Sequence, residues 1–257
     1  MPIAIVIGAS SGIGQSTAVQ LAQRGTGVIL TYSGNPAGAQ DTVTAIEKEG
    51  GTAVALRLDV GRSETFPAFR EQVVAALRDT WQRDTFDHLV NNAGFGGMAM
   101  FQDTTEELFD RFMRVLLKGP YFVTQTLLPL LADGGAIVNV SSNSALPTGT
   151  VDVGFSAYAT MKGGLNVLTR YLAAELAVRR IRVNAVSPGP TLTRLADASG
   201  VVGFEAYPEV IPALAAKTAL GRIGEPDDIA AVIVTLLGDE GRWITGQNVE
   251  VSGGFNL

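Results

Sequence analysis

The 257-residue chain contains no cysteine and a single histidine, His88. Without cysteine there are no disulfides, thiolate zinc sites, CxxC redox pairs or cysteine nucleophiles. One histidine excludes an HExxH metal site, and any Ser-His-Asp triad would have to use His88. Basic runs are missing too. Lys+Arg number 19 against 25 Asp+Glu, a formal charge of −6 that is a poor basis for nucleic-acid binding. The first 23 residues carry no charged side chain, but polar residues and glycine interrupt them, and no basic segment precedes the apolar stretch. Neither a signal peptide nor a transmembrane span is therefore expected. A cytoplasmic protein with no membrane partner, no nucleic-acid partner and no metal is the expectation. No repeat, low-complexity stretch or Pro-rich linker breaks the chain.

What the chain holds in excess is glycine, 30 residues or about 12% where ~7% is usual. Apolar runs at Ile3–Ile7, Val28–Tyr32, Thr52–Leu58, Leu89–Val90, Ala136–Val140, Ile181–Val186 and Gln247–Val251 read as seven strands. Helical spacing predicts helices at Gly12–Arg24, Ala37–Glu49, Ser63–Trp81, Thr104–Leu131, Ala157–Arg179 and Asp227–Leu237, with Pro120 and Pro129 placed to kink or cut the fourth. This alternation implies right-handed βαβ units, and strands without period-two patterning imply burial on both faces. The expected fold is α/β: a doubly wound parallel seven-stranded sheet in a single domain, residues 1–257. Ligands of such sheets bind beyond the C-terminal strand ends, where the strand order reverses.

Several motifs fall at those ends. Gly8-Ala9-Ser10-Ser11-Gly12-Ile13-Gly14 joins the first strand to the first helix. Glycine permits the tight turn and lets backbone N–H groups approach a pyrophosphate, while the helix N-terminus adds positive partial charge. A carboxylate for a ribose 2′-hydroxyl would stand at Tyr32, and none is there. Ser33 and Asn35 can donate to a 2′-phosphate, although no Arg is near. NADP(H) is thus favoured, with NAD(H) left open. Asn91-Asn92-Ala93-Gly94 follows the fourth strand: small residues let a cofactor pass, and Asn amides tie strand ends together. His88 precedes it at the far end of the sheet and reads as structural. Tyr158-Ala159-Thr160-Met161-Lys162 puts Tyr and Lys one helical turn apart on one face. An ammonium there would lower the phenol pKa and prepare it for proton exchange with a substrate oxygen. Ser141 and Ser142 close the fifth strand.

The GxxxGxG spacing, NNAG and YxxxK together resemble the short-chain dehydrogenase/reductase family in its single-domain branch. The likeness extends through Asn184–Gly189, Thr245–Gln247 and Ser252–Gly254, almost the whole chain. It implies a Rossmann-type fold and an NAD(P)-dependent oxidoreductase that interconverts a ketone or aldehyde with an alcohol. It assigns Ser142 to hold the carbonyl oxygen, Tyr158 to donate the proton, and Lys162 to lower the Tyr pKa and bind the ribose. It also implies Asp59 and Val60 at the adenine, Asn91, Ala93 and Gly94 along the cofactor, and Pro188 and Gly189 beside the nicotinamide. Thr193 would meet the carboxamide, with Thr191 as the alternative; for Asp59 the alternative is a cap on the next helix. Ile7 replaces the usual Thr, so one hydrogen bond of the turn is expected to be missing. Leu116 replaces an Asn whose backbone holds a relay water. Sixteen residues separate Ser142 from Tyr158, a long spacing attributed to Leu146–Phe155. Residues 191–219 break the sheet rhythm and carry Val201, Val202, Phe204, Tyr207, Val210, Ile211 and Leu214. They read as an apolar lid or a packed helical subdomain, suited to a small apolar carbonyl or alcohol substrate. A homotetramer is implied through helices 104–131 and 157–179, by way of Phe109, Phe112, Leu165 and Leu172. Other readings of the same fold are a catalytically weak NAD(P)-binding or sensing protein, and an enzyme of dehydration or enoyl reduction.

Overall fold

The computed structural model describes residues 1–147, 151–193, 196–197, 200–201, 204 and 208–257. Strand β1 (Ile3–Ile7) is buried along its whole length, as a mid-sheet strand covered on both faces must be. The chain continues through α1 (Gly12–Gln23), β2 (Gly27–Tyr32), α2 (Pro36–Lys48), β3 (Ala53–Arg57), α3 (Phe66–Trp81) and β4 (Phe86–Asn91). Next come α4 (Glu106–Phe112), a π-helical turn at Met113–Lys118, α5 (Gly119–Leu127), β5 (Leu131–Val140), α6 (Ser156–Glu175) and β6 (Arg182–Pro188). A short antiparallel pair, β7 (Ala196–Asp197) and β8 (Gly200–Val201), precedes α7 (Ile211–Ala216), α8 (Pro226–Leu237) and β9 (Asn248–Val251).

The seven-stranded sheet has the order β3-β2-β1-β4-β5-β6-β9, and every pairing is parallel. This is the doubly wound fold expected from the alternation. On one face Ile5, Leu89 and Ile137 pack under α3, α5 and α6; on the other Val6, Leu30 and Val138 pack under α1, α2 and α8. The order reverses between β1 and β4, so the loops after those strands part and open a crevice.

The expected helix at 104–131 is interrupted. Pro120 sits in the first turn of α5, directly after the π turn, and Pro129 lies in the 3-10 turn Leu128–Leu130 that ends the helix. Strand β5 then begins at Leu131 rather than Ala136, with a register shift against β4 between Phe86 and His88. His88 is opposite Ala4, far from the crevice, and its buried Nδ1 has no hydrogen-bond partner among the described residues. The residues expected to pair subunits are partly misassigned: Phe112 and Leu165 are core and Leu172 packs against it, because their helix faces turn inward. The exposed apolar side chains on α4, α5 and α6 are Phe109, Tyr121, Phe122, Val167 and Tyr171. Among the described residues no helix is long and apolar enough to cross a membrane.

Candidate active site

The turn from β1 to α1 has the backbone that only glycine holds easily, with φ of +80° at Gly8 and +57° at Gly12. Gly14 is required by contact: a Cβ there would stand 2.1 Å from the Gly8 carbonyl oxygen. The Gly8 carbonyl also accepts from Asn92 Nδ2 at 2.6 Å, which joins the turn to the loop after β4. Within the turn the Gly8 N–H donates to Thr31 Oγ1 at 2.9 Å. Thr31 carried no signal in the sequence, because its partner lies across a strand pairing.

A cleft of about 2710 Å³ runs over the C-terminal strand ends. It exceeds the roughly 300–1,000 Å³ of ordinary small-molecule sites, enough for a dinucleotide together with a substrate. Gly8, Ser10, Ser11, Gly12 and Ile13 line one end with Tyr32, Ser33, Asp59 and Val60. Ala93 and Gly94, Pro188, Gly189, Thr191 and Thr193, and Ser142, Tyr158 and Lys162 complete the wall. Gly14 and Asn91 do not line it. Asn91 stands behind, its Nδ2 donating to Thr124 Oγ1 at 2.9 Å and Asn139 Oδ1 at 2.8 Å, so that it ties β4 to α5 and β5. Asp59 accepts from the Gly61 N–H at 2.9 Å and does not cap α3, whose start is preceded by a separate 3-10 turn. Thr191 uses its hydroxyl on the Gly189 carbonyl at 2.9 Å, whereas Thr193 faces Gly12 across the cleft. Asn35 caps α2, accepting from the Gly38 N–H at 3.0 Å, and its amide donates to the Ser10 carbonyl at 3.3 Å.

At the other end stand two hydroxyls and an amine. Ser142 lies two residues past the end of β5 and Tyr158 and Lys162 lie on α6, which puts all three at one strand mouth. The Ser142 hydroxyl stands beside the Tyr158 phenol and favours its ionised form, and Ser142 Oγ accepts from the Ser144 N–H at 3.3 Å. Lys162 Nζ donates to the Val140 carbonyl at 2.7 Å and lies 5.9 Å from the Tyr158 ring centre. Burial pushes the Lys162 amine down to about 8. The phenol differs from expectation. Burial raises the Tyr158 pKa above its ordinary value, and the Ser142 hydroxyl offsets this only in part. At neutral pH the phenol is therefore protonated, since desolvation outweighs the effect of Ser142. Leu116 is buried with Phe95, Phe112 and Met161, and its side chain flanks Gly94 on the side where Lys162 approaches.

The expected lid contributes Phe204, Val210 and Leu214 to the wall, while Val202 and Tyr207 lie outside the described residues, as does the side chain of Val201. Phe255 also lines the cleft. The Ala219 and Leu220 N–H groups donate to Gly254 and Gly253, which brings the C-terminal turn under this segment.

A glycine turn at a parallel-sheet switch point, leading by one cleft to a hydroxyl pair beside a buried amine, defines a dinucleotide-dependent oxidoreductase architecture. Residues 8–256 match the family model described as enoyl-(acyl carrier protein) reductase. An uncharacterised oxidoreductase of Methylorubrum extorquens is 40% identical over 255 residues, covering 98% of this chain and 96% of its own. The promiscuous reductase LugOII, which catalyses keto-reduction at C1 during lugdunomycin biosynthesis, is 36% identical with a TM-score of 0.91 and coverage of 100% and 98%. The angucycline C-6 ketoreductase LanV with bound NADP is 34% identical, also at TM-score 0.91, with coverage of 99% and 95%. The chain belongs to the short-chain dehydrogenase/reductase family, and its fold is that of the family's ketoreductases.

Proposed function

We propose that the protein is an NADPH-dependent carbonyl reductase. The observation that carries this is the Ser142–Tyr158 hydroxyl pair beside buried Lys162, at the far end of the cleft from the glycine turn. The cradle fits the cofactor: Gly8 and Gly14 have no room for a side chain, and Tyr32 and Ser33 leave the adenosine end without a carboxylate on that strand. NADP in the similar LanV structure supports the same choice over NAD. Ser10 to Ile13 would hold the pyrophosphate, Tyr32 and Ser33 the 2′-phosphate, Asp59 and Val60 the adenine, and Lys162 and Thr193 the nicotinamide riboside. When bound, the cofactor supplies the hydride for the carbonyl carbon.

Ser142 donates a hydrogen bond to the carbonyl oxygen and fixes it where charge develops. Tyr158, protonated at neutral pH, donates its proton to that oxygen. Lys162, charged below about 8, steadies the phenolate left behind. Phe204, Val210, Leu214 and Phe255 exclude water from the substrate end. A hydroxyl pair aimed at one oxygen suits a carbonyl better than a carbon–carbon double bond. The exposed Phe109, Tyr121, Phe122, Val167 and Tyr171 support a homotetramer formed through α4, α5 and α6, which light scattering tests; a monomer would refute it. Catalysis is tested by following nicotinamide absorbance with a ketone panel and identifying products. Alcohol formed with NADPH in preference to NADH is expected. No consumption with any ketone would favour a cofactor-binding protein instead.

A further inference from the structure

An aromatic cluster surrounds the Tyr158 phenol. Phe95 stacks on Phe112 with ring centres 5.0 Å apart and planes 14° from parallel. Phe112 and Phe155 each meet Tyr158 edge-on at 6.1 Å. The guanidinium of Arg111 lies over the Phe95 ring, 4.3 Å from its centre. Arg111 is half-buried and lines the cleft together with Phe95, Phe155 and Tyr158. Arg114, three residues on and exposed, lines it too, and its side chain makes no hydrogen bond or ion pair with a described residue. In a chain of net charge −6, Arg111 and Arg114 place two cations one helical turn apart at the cleft. A guanidinium seated on an aromatic face is restrained in position, and its planar donors match an acidic oxygen.

We propose that Arg111, assisted by Arg114, binds an acidic oxygen on an aromatic ketone substrate whose ring packs against Phe155 and whose carbonyl meets Ser142 and Tyr158. The acidic oxygen is a carboxylate or an ionised phenol. This rests on the carbonyl-reductase reading and narrows its substrate from merely apolar to flat and anionic at one end. Asp152, on the loop whose Gly154 carbonyl accepts from the Ala99 N–H at 2.9 Å, also lines the cleft and disfavours an anion on its own side.

The test measures NADPH-dependent reduction of a 1-tetralone bearing a ring carboxylate against its methyl ester, and of a ring-hydroxylated tetralone, ionised, against its methoxy form. Arg111→Ala should raise KM about tenfold for at least one of the two acids, with kcat within about twofold and the neutral partners unmoved. Arg111→Lys should recover part of that loss, and Asp152→Asn should lower KM for the acid. The NADPH dissociation constant and melting temperature of Arg111→Ala should match the parent. Equal shifts for acid and neutral forms, no shift for either, or a tenfold loss of NADPH affinity would overturn the proposal; the last would put Arg111 on the cofactor. Reduction of an aliphatic 3-oxo ester but of no ring ketone would overturn the aromatic assignment while leaving the reductase reading intact. Reduction of no ketone at all would sink both.

Discussion

Lys162 sets an upper pH limit on the chemistry. Burial holds its amine at about 8, so it is charged below that pH and neutral above it. A neutral amine cannot steady a developing phenolate at Tyr158, so kcat/KM for reduction should decline as pH rises through about 8. A profile that stays flat to high pH would contradict the assignment. Lys162→Arg keeps the charge and should carry the limit upward while lowering the rate, because the larger fork does not fit the same pocket. Thr31 belongs to this scale as well. Thr31→Val leaves the half-buried Gly8 N–H without its acceptor and should cost about 1 kcal/mol in denaturant unfolding, with weaker NADPH binding. The two residues mark what could be read early. Tyr158 and Lys162 were legible because a helix fixes the relation of residues four apart. Thr31 was not, because strand pairing brings it to Gly8 from 23 positions away. The Tyr158 pKa was misjudged for a related reason: spacing reveals a neighbouring charge but not the depth of burial.

Elements were legible where one physical signal dominated. The buried strands announced themselves as apolar runs, and the glycine turn by its spacing. The 104–131 segment carried conflicting signals, and prolines at 120 and 129 resolved it into α4, a π turn, α5 and a 3-10 end. The C-terminus of α8 illustrates a device that sequence does not display. Its terminal carbonyls have no intrahelical donors, and Arg182 from the start of β6 supplies them, bonding Leu236, Leu237, Gly238 and Gly241. Arg182→Ala should lose about 2 kcal/mol of stability with kcat unchanged, since the site is at the opposite strand end. Equal stability in a melting experiment would show that water replaces the guanidinium without cost. At the start of α1, Gly14→Ala drives a Cβ into the Gly8 carbonyl and should weaken NADPH binding along with folding.

At the scale of the whole molecule, the sheet separates chemistry from support. The strand starts carry His88, whose ring is pushed below its ordinary value near 6.5 by burial, helped by Arg182 and opposed by Asp87 and Asp239. Below that ordinary value the unfolded chain binds the proton and the native state resists it. Stability should therefore be full above pH 6.5 and fall as pH drops beneath it, by at most about 1.4 kcal/mol per pH unit for one proton. His88→Phe should flatten this decline; an unchanged slope would assign it to other groups. The strand ends carry the cleft, and there the account's central claim is that Tyr158 gives its proton to a carbonyl oxygen. The most direct measurement compares the parent and Tyr158→Phe for both NADPH affinity and ketone turnover. The account predicts unchanged affinity and a rate lower by at least about a hundredfold. Turnover within tenfold of the parent, at equal cofactor affinity, would contradict it.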